Sequence, residues 1–504
     1  MTDPLRLAER ALRTIQSDTP RLDRISDYIA GDHDQPYVPD NATSEEFKRI
    51  LKRSITNWIP TLIAAPAQAM YVDSFRRSTK DEAGDEVAAE MSPEMEHWQR
   101  SRLDARQLAV HRTAIAYGAA YTLTYRNDKG ESVTKGLPPR RTVTLYDDPA
   151  TDLEPVCGIY VERWEGGVVS GDSADYDSAR PGVVWFYDQS HQYRFLLKGG
   201  QLRYDGQPIP HGMTSCPITR HAPWLDMDGN AVGLVEALIS PQDRFNQTVC
   251  DLLLAQSYTA AQLRYFIGVK PPMRMKLDSN TGELRPELDD EGRPIIDETR
   301  MNASRLTYTE NPDAKIGAVP GGELGGLLSS AETTLKHLSG LSNVPPHFLM
   351  GQIANVSAEA LQAAMTALLR MVDEIQHAIG ESWERVFRLA MELDGNKTAA
   401  QDVTGEVLWK DVGGDNIAQH GDALAKLADI GVPKKGLWRR VPGVTELEFR
   451  EWSKLDAEER SQSPDQQAVD QVFGSGVGAR LAPSPAPTDN PPPTPGRRPF
   501  RNAI

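Results

Sequence analysis

The sequence predicts an α+β protein, mainly helical, and three stretches carry that expectation. Residues 357–393 hold apolar side chains at 361, 365, 368, 372, 375, 379, 383, 386, 390 and 393, every step three or four, which is one face of a single long helix. Between about 120 and 215 the texture changes to short runs rich in Val, Tyr, Thr and Phe, separated by turn signals. Two apolar helical stretches, 231–264 and 323–342, flank a Pro- and Gly-punctuated insertion.

From the N-terminus, residues 4–30 read as two short helices split at Pro20, the second stopping at Gly31. From Ser44 a helical tract, SEEFKRILKRSITNWIPTLIAAPAQAMYVDSF, has an acidic first turn and must kink or break at Pro60 and Pro66. Residues 92–119 form a helix with Ser92 as its cap, Pro93 in its first turn and Gly118 at its end. The runs AYTLTYR, RRTVTLYD, CGIYVERW, GVVWFYD and QYRFLLK, with turns at NDKG, EGG and KGG, make an antiparallel sheet of hairpins. Helix over 231–264 has few charges for its length, so it packs on several sides. A small strand-and-turn insertion follows, and helix resumes near Leu324.

The predicted helix from Ser357 to Leu393 spans roughly 55 Å at 1.5 Å per residue. A helix that long needs neighbours along its whole length, and Gly380 is the natural place for a bend. Residues 413–460 read as a smaller helical region broken at Val432 and Pro433. From 461 onward the Pro-rich end, LAPSPAPTDNPPPTPGRRPFRN, cannot bury a core, and its removal is expected to leave assembly intact.

Net charge is −16, which argues against a surface that grips nucleic acid by neutralising phosphates. It is compatible with DNA sliding past an acidic wall. Cys157, Cys216 and Cys250 are odd in number and far apart, so neither a disulfide framework nor a zinc knuckle is indicated, and a reducing compartment fits. No long apolar run marks a membrane span, and the first residues do not make a classical signal.

No motif for catalysis stands up. GNKT at 395–398 lacks the glycine five positions earlier that a phosphate loop needs, since Ala390 sits there. DMDGNAVGLVEA at 226–237 has Asp226, Asp228 and Asn230 at alternate positions, but Ala231 and Ala237 replace the required glycine and glutamate, so a turn feeding a helix is expected. His211, Cys216 and His221 match no zinc spacing and read as loop residues. No cofactor and no metal is expected.

Taken in order, RLDRISDYIAGD, NWIPTLIAAPAQAMYVDSF, HWQRSRLDARQLAVHRTAIAYGAAYTLTY, GLVEALISPQDRFNQTVCDLLL and NVPPHFLMGQIANVSAEALQAAM resemble the portal proteins of tailed bacteriophages, of the siphophage type. The resemblance covers roughly residues 20–460 and rests on order and spacing. It implies an elongated portal fold and a ring, usually of twelve subunits, at one capsid vertex, assembled in the host cytoplasm, through which double-stranded DNA is packaged and ejected. Its implied partners are copies of itself, the terminase large subunit, a head-tail adaptor, and the major capsid and scaffolding proteins, with no membrane and no enzymatic activity. On that pattern 1–230 is wing, 231–264 the first stem helix, 265–322 clip, 323–342 the second stem helix, 343–356 tunnel loop, 357–393 the long kinked helix, 394–460 crown, and 461–504 a disordered tail.

The expected tunnel loop comprises Asn343, Pro345, Pro346, His347, Phe348, Leu349, Met350, Gly351, Gln352, Ile353, Asn355 and Val356. Its prolines end the stem helix, His347 to Met350 pack against the neighbouring loop, Gly351 gives backbone freedom, and no Lys or Arg is present to hold phosphates. Ser357 is expected to cap the long helix and Gly380 to kink it. The alternatives are another structural or binding protein of the virion, or a hydrolase whose site is assembled from scattered residues.

Overall fold

The computed structural model describes residues 3–37, 45–76, 92–152, 154–166, 180–260, 264–267, 273–277, 282–289, 292–295, 313, 315–318, 324–351, 358–410, 417–438, 441, 444 and 446–461. The chain divides between Ile417 and Ala418 into two units.

The first helix of the larger unit, α1 (Pro4–Ala30), is continuous through Pro20, which corrects the expectation of two helices. The reason lies in what each half buries. Ala8, Ala11, Leu12 and Ile15 join the core of a β-sheet, whereas Leu22, Ile25 and Tyr28 join a separate helical core. Packing at both ends holds the helix across a proline that local propensity alone would not tolerate. It stops at Gly31, φ 94°, where the absence of a Cβ permits the left-handed turn.

The next tract divides into α2 (Glu45–Ser54) and α3 (Ile59–Gln68), with Pro60 in the first turn of α3 and Pro66 near its end. Residues expected to prolong that helix instead form β1 (Val72–Arg76), which pairs antiparallel with β15 (Glu406–Trp409). That pairing crosses more than 300 residues of sequence, which no local pattern can announce. The stretch at 92–119 starts at the expected cap, where the Ser92 side chain accepts from the Met95 amide. It is two helices, α4 (Pro93–Arg100) and α5 (Leu103–Tyr117), broken where Arg102 takes φ 57°. Gly118 ends α5 with φ 88°.

The hairpin region folds as two sheets. In one, β2 (Ala120–Arg126) lies between β3 (Ser132–Leu137) and β10 (Ile218–His221). The other has the order β4 (Thr142–Leu145), β5 (Cys157–Arg163), β6 (Gly182–Tyr187), β7 (His191–Lys198), β8 (Gln201–Tyr204), with β9 (Ile209–Pro210) also on β7. Neighbouring strands in both are antiparallel, as the turn signals predict. The N-terminal half of α1 covers the six-stranded sheet through Ile159, Val161, Val184, Phe186 and Phe195.

Helix α6 (Leu234–Ala260) carries Pro241 as its eighth residue and packs along α7 (Leu324–Ser342). Between them lie two antiparallel pairs, β11 (Arg264–Ile267) with β14 (Lys315–Ala318), and β12 (Met275–Leu277) with β13 (Leu284–Pro286). The insertion therefore has the strand-and-turn character expected of it. A single turn, α8 (His347–Met350), precedes α9 (Ala358–Leu393), the long helix. Every described position of its predicted stripe from Leu368 to Leu393 is buried, and Met365 is half-buried. A short turn, α10 (Lys397–Ala400), leads towards β15.

In the smaller unit the expected helices are α11 (Ile417–Asp429) and α13 (Glu446–Ser461), separated by α12 (Lys434–Trp438) after the predicted break at Val432 and Pro433. Trp438 and Trp452 meet edge to face at 6.4 Å. Residues 462–504, the Pro-rich tail, lie outside the described residues. Among the described residues no helix is long and apolar enough to cross a membrane.

Candidate functional site

The segment that follows α7 is built from its own sequence. Asn343 adopts φ 53°, the left-handed conformation that asparagine tolerates better than most residues, and this ends α7 two residues before Pro345. The turn is then tied back, because the Ser339 hydroxyl donates to the Val344 carbonyl at 2.5 Å and the Ser342 hydroxyl to the Leu338 carbonyl at 2.8 Å. The Pro345 carbonyl accepts from the Phe348 amide and the Pro346 carbonyl from Met350, which winds His347–Met350 into one helical turn. Gly351 closes it at φ 64°.

The side chains of this turn divide by direction. Val344 and Leu349 are buried in the same core as Leu338 of α7 and Leu368, Met371 and Val372 of α9. Leu349 is thereby committed to its own chain, which corrects the expectation that it packs on a neighbouring loop. An apolar residue at that position of a one-turn helix faces back towards α9, and burying it there needs no partner. Phe348 points the other way, 42% exposed, with the His347 ring beside it at 4.8 Å. Met350 is half-buried, while Asn343, Pro346 and Gly351 are exposed. The structure thus brings Asn343 through Gly351 together as one anchored turn at the foot of α9. Gln352, Ile353, Asn355, Val356 and Ser357 lie outside the described residues.

Above that turn the long helix changes character along its length. Near its start Ala363, Ala364, Ala367 and Leu369 are exposed, Leu369 by 42%. Farther along, Trp383 is fully buried, edge-on to Trp98 at 5.0 Å, and its indole N–H donates to His111 Nε2 at 3.0 Å. His111 Nδ1 in turn bonds the Met70 carbonyl at 3.1 Å, so the neutral ring uses both nitrogens. Two residues on, Arg385, also buried, donates to the carbonyls of Cys216 and Ile218 and to the Thr219 hydroxyl at 2.6, 3.1 and 2.5 Å, locking α9 onto β10. Arg126 of β2 closes the end by donating to the Leu393 carbonyl. Gly380 is buried against the Trp409 indole, where an added Cβ would lie 3.7 Å from Nε1, and α9 is unbroken there.

Burial holds three histidines of this region neutral. His111 is pushed down to about 4 by desolvation, His97 to about 4 by desolvation and the nearby Arg100, and His221 to about 3 by desolvation with His111 and Arg385 adding to it. Desolvation also lowers Arg385. None of these polar residues was singled out in sequence for a role beneath α9. A histidine or arginine inside an apolar stripe is the only hint they offer.

The rejected motifs resolve as structure. Asn396 of GNKT caps α10 by accepting from the Ala399 amide. Asp226 accepts from the Asp228 and Asn230 amides in a turn that feeds α6, as expected. His221 lies in β10 and bonds the Thr122 hydroxyl at 2.9 Å, so it is a strand residue and not the loop residue expected. The three cysteines are free and buried. Among the described residues no group of three His, Cys, Asp or Glu side chains is placed to hold a metal ion.

Two long helices flank a strand insertion, and an anchored turn precedes a helix that is buried by its own chain towards its C-terminal end. The family described as "Phage portal protein, SPP1 Gp6-like" matches residues 11–464, and the chain belongs to it. It is 22% identical to the portal protein of Mycobacterium phage D29 over 406 residues, 78% of this chain and 77% of that protein. It is also 22% identical to the portal protein of Mycobacterium phage L5 over 454 residues, 85% of this chain and 83% of that one. The protein is accordingly a phage portal protein, a structural component of the virion and not an enzyme.

Proposed function

We propose that copies of this chain close into a ring, twelve in number, at one vertex of the capsid, and that the ring conducts double-stranded DNA during packaging and ejection. In this reading residues 1–230 form the wing, 231–264 and 323–342 the stem, 265–322 the clip, 343–356 the tunnel loop, 357–393 the long helix and 394–460 the crown. The terminase large subunit and then the head-tail adaptor dock on the clip, while the major capsid and scaffolding proteins meet the outer rim. Assembly takes place in the host cytoplasm.

The observation that carries the reading is the unfinished packing of α7 and the start of α9. Leu328 and Leu341 of α7, Phe348 of the anchored turn and Leu369 of α9 all leave apolar surface open to solvent. Such a surface in a family of assembling proteins is expected to face a second copy. The charge balance supports a sliding channel over a gripping one, since Asn343 through Val356 contain no Lys or Arg and the chain carries −16.

Electron micrographs of the purified protein are expected to show rings with a central hole, and counting their symmetry tests the number twelve. Gln352→Lys and Asn355→Lys are expected to assemble but to package less DNA, because the ring repeats each new cation around the duplex. Normal packaging by both variants removes the tunnel-loop assignment.

A further inference from the structure

The six-stranded sheet has two faces, and α1 covers one of them. On β5, β6 and β7 the side chains of Ile159, Val161, Val184, Phe186 and Phe195 belong to that covered core. The two-residue period of a strand puts Tyr160, Trp185, Tyr187 and Gln192 on the other face. That face lines a cavity of about 780 Å³, bounded across from it by Leu123 and Tyr125 of β2 and Lys135 of β3. Tyr160 and Trp185 are register partners on neighbouring strands, and the Trp185 indole N–H donates to Glu162 at 2.6 Å, which fixes the edge of the ring. Tyr125, Tyr160 and Trp185 are each half-buried, so every one of them offers part of a ring to the cavity.

The charges around the groove are unevenly engaged. Arg126 donates to the carbonyls of Gly130 and Leu393, and the Lys135 ammonium lies 5.2 and 5.7 Å from the centres of the Tyr125 and Tyr160 rings. Arg194, 6.0 Å from the Trp185 ring, is held by Asp205. The carboxylates of the lining differ: Asp128 and Glu162 are both exposed, and neither has an ion pair among the described residues. Tyrosine and tryptophan rings beside free carboxylates suit a proline-rich strand that carries basic residues. Prolines pack on aromatic faces, and a polyproline helix is extended before it binds, so little conformational entropy is lost. An adjoining arginine then meets the carboxylates.

The sequence of this chain contains such a strand. PPPTPGRRPF, residues 491–500, places Pro492 and Pro495 three positions apart, on one edge of a helix of three residues per turn, with Arg497 and Arg498 following directly. Thirty residues separate Ser461 from Pro491, up to about 100 Å of extended chain, long enough to bridge to an adjoining copy. We infer that the groove takes residues 491–498 of a second copy of the chain, with Pro492 and Pro495 on Tyr160 and Trp185, and the two arginines on Glu162 and Asp128. The docking ties together copies that have already met, in keeping with a tail whose removal is expected to leave assembly intact. It requires no particular number of copies and uses neither α7 nor the turn before α9, so it stands apart from the channel reading.

The test is photo-crosslinking of the full-length protein carrying Thr494→p-benzoylphenylalanine, with isotopically heavy and unlabelled copies mixed before they assemble. Adducts between the tail and strands β5 and β6 are expected, and a share of them should join a heavy chain to an unlabelled one. Adducts that never join the two, adducts that map elsewhere, or no adducts at all overturn the inference. The double variant Asp128→Asn, Glu162→Gln changes two exposed side chains and is expected to cut the adduct yield at least about fivefold with an unchanged circular-dichroism spectrum. A yield within about twofold of the parent overturns the role of the carboxylates. Trp185→Leu keeps an apolar side chain and removes the ring, and a loss of similar size is expected of it. Full yield from that variant overturns the aromatic platform.

Discussion

The two ends of the long helix α9 share one periodic sequence pattern and meet opposite fates. Its C-terminal part is enclosed by its own chain, with Trp383, Val386, Phe387, Leu389 and Ala390 buried and Arg385 bonded to β10. Its N-terminal part leaves Ala363, Ala364, Ala367 and Leu369 open, beside an anchored turn that exposes Phe348. One end has a finished core, and the other resembles a core cut in half. A single helix thus joins a part of the subunit that stabilises the fold to the part proposed to face the next copy, and substitutions at its two ends should have separable consequences.

The largest effect is expected at the enclosed end. Trp383→Ala removes a fully buried indole that contacts Trp98 and His221 and donates to His111, and should cost about 3–5 kcal/mol in urea unfolding. A loss below about 1 kcal/mol would mean that this end is not the closed core described.

A smaller effect follows from the neutral histidines. In the unfolded chain a histidine takes up its proton near pH 6.5, whereas folded His97 and His111 resist protonation down to about 4 and His221 to about 3. The unfolded state therefore binds more protons as pH falls below 6.5, and stability declines through that window down to about 4. The expected loss between pH 6.5 and 5 is roughly 2 kcal/mol per histidine. His111→Gln should flatten the pH profile by one histidine's share, and an unchanged slope would show that His111 is not held neutral.

The smallest stability effect belongs to the open end. Leu369→Asp should alter the unfolding of dispersed subunits by no more than about 0.5 kcal/mol, as for an exposed site. It should nevertheless reduce ring formation in sedimentation experiments, because it puts a charge into the surface proposed to face the next copy. Intact rings with this variant would move the association surface elsewhere.

The elements themselves, unlike the division between the two ends, are largely legible in the sequence. The stripe on α9 was readable residue by residue because a helix repeats on a scale of three or four positions, and burial followed that repeat from Leu368 to Leu393. The stops at Gly31 and Gly118, the cap at Ser92 and the hairpin strands were equally local. The rejected phosphate and calcium motifs resolved as the cap at Asn396 and the turn at Asp226. In the candidate site, the positions of Asn343 and Gly351 in left-handed turns suited their residue types.

What sequence alone determined about this protein is therefore the set of elements and the face each one presents, since those depend on neighbours a few residues away. Only the tertiary structure decided that α1 runs unbroken through Pro20, that β1 pairs with β15, and that Leu349 turns into its own core while Phe348 does not. Each of these is settled by contacts between segments far apart in the chain, where burial and pairing outweigh local preference by amounts that no short window of sequence contains.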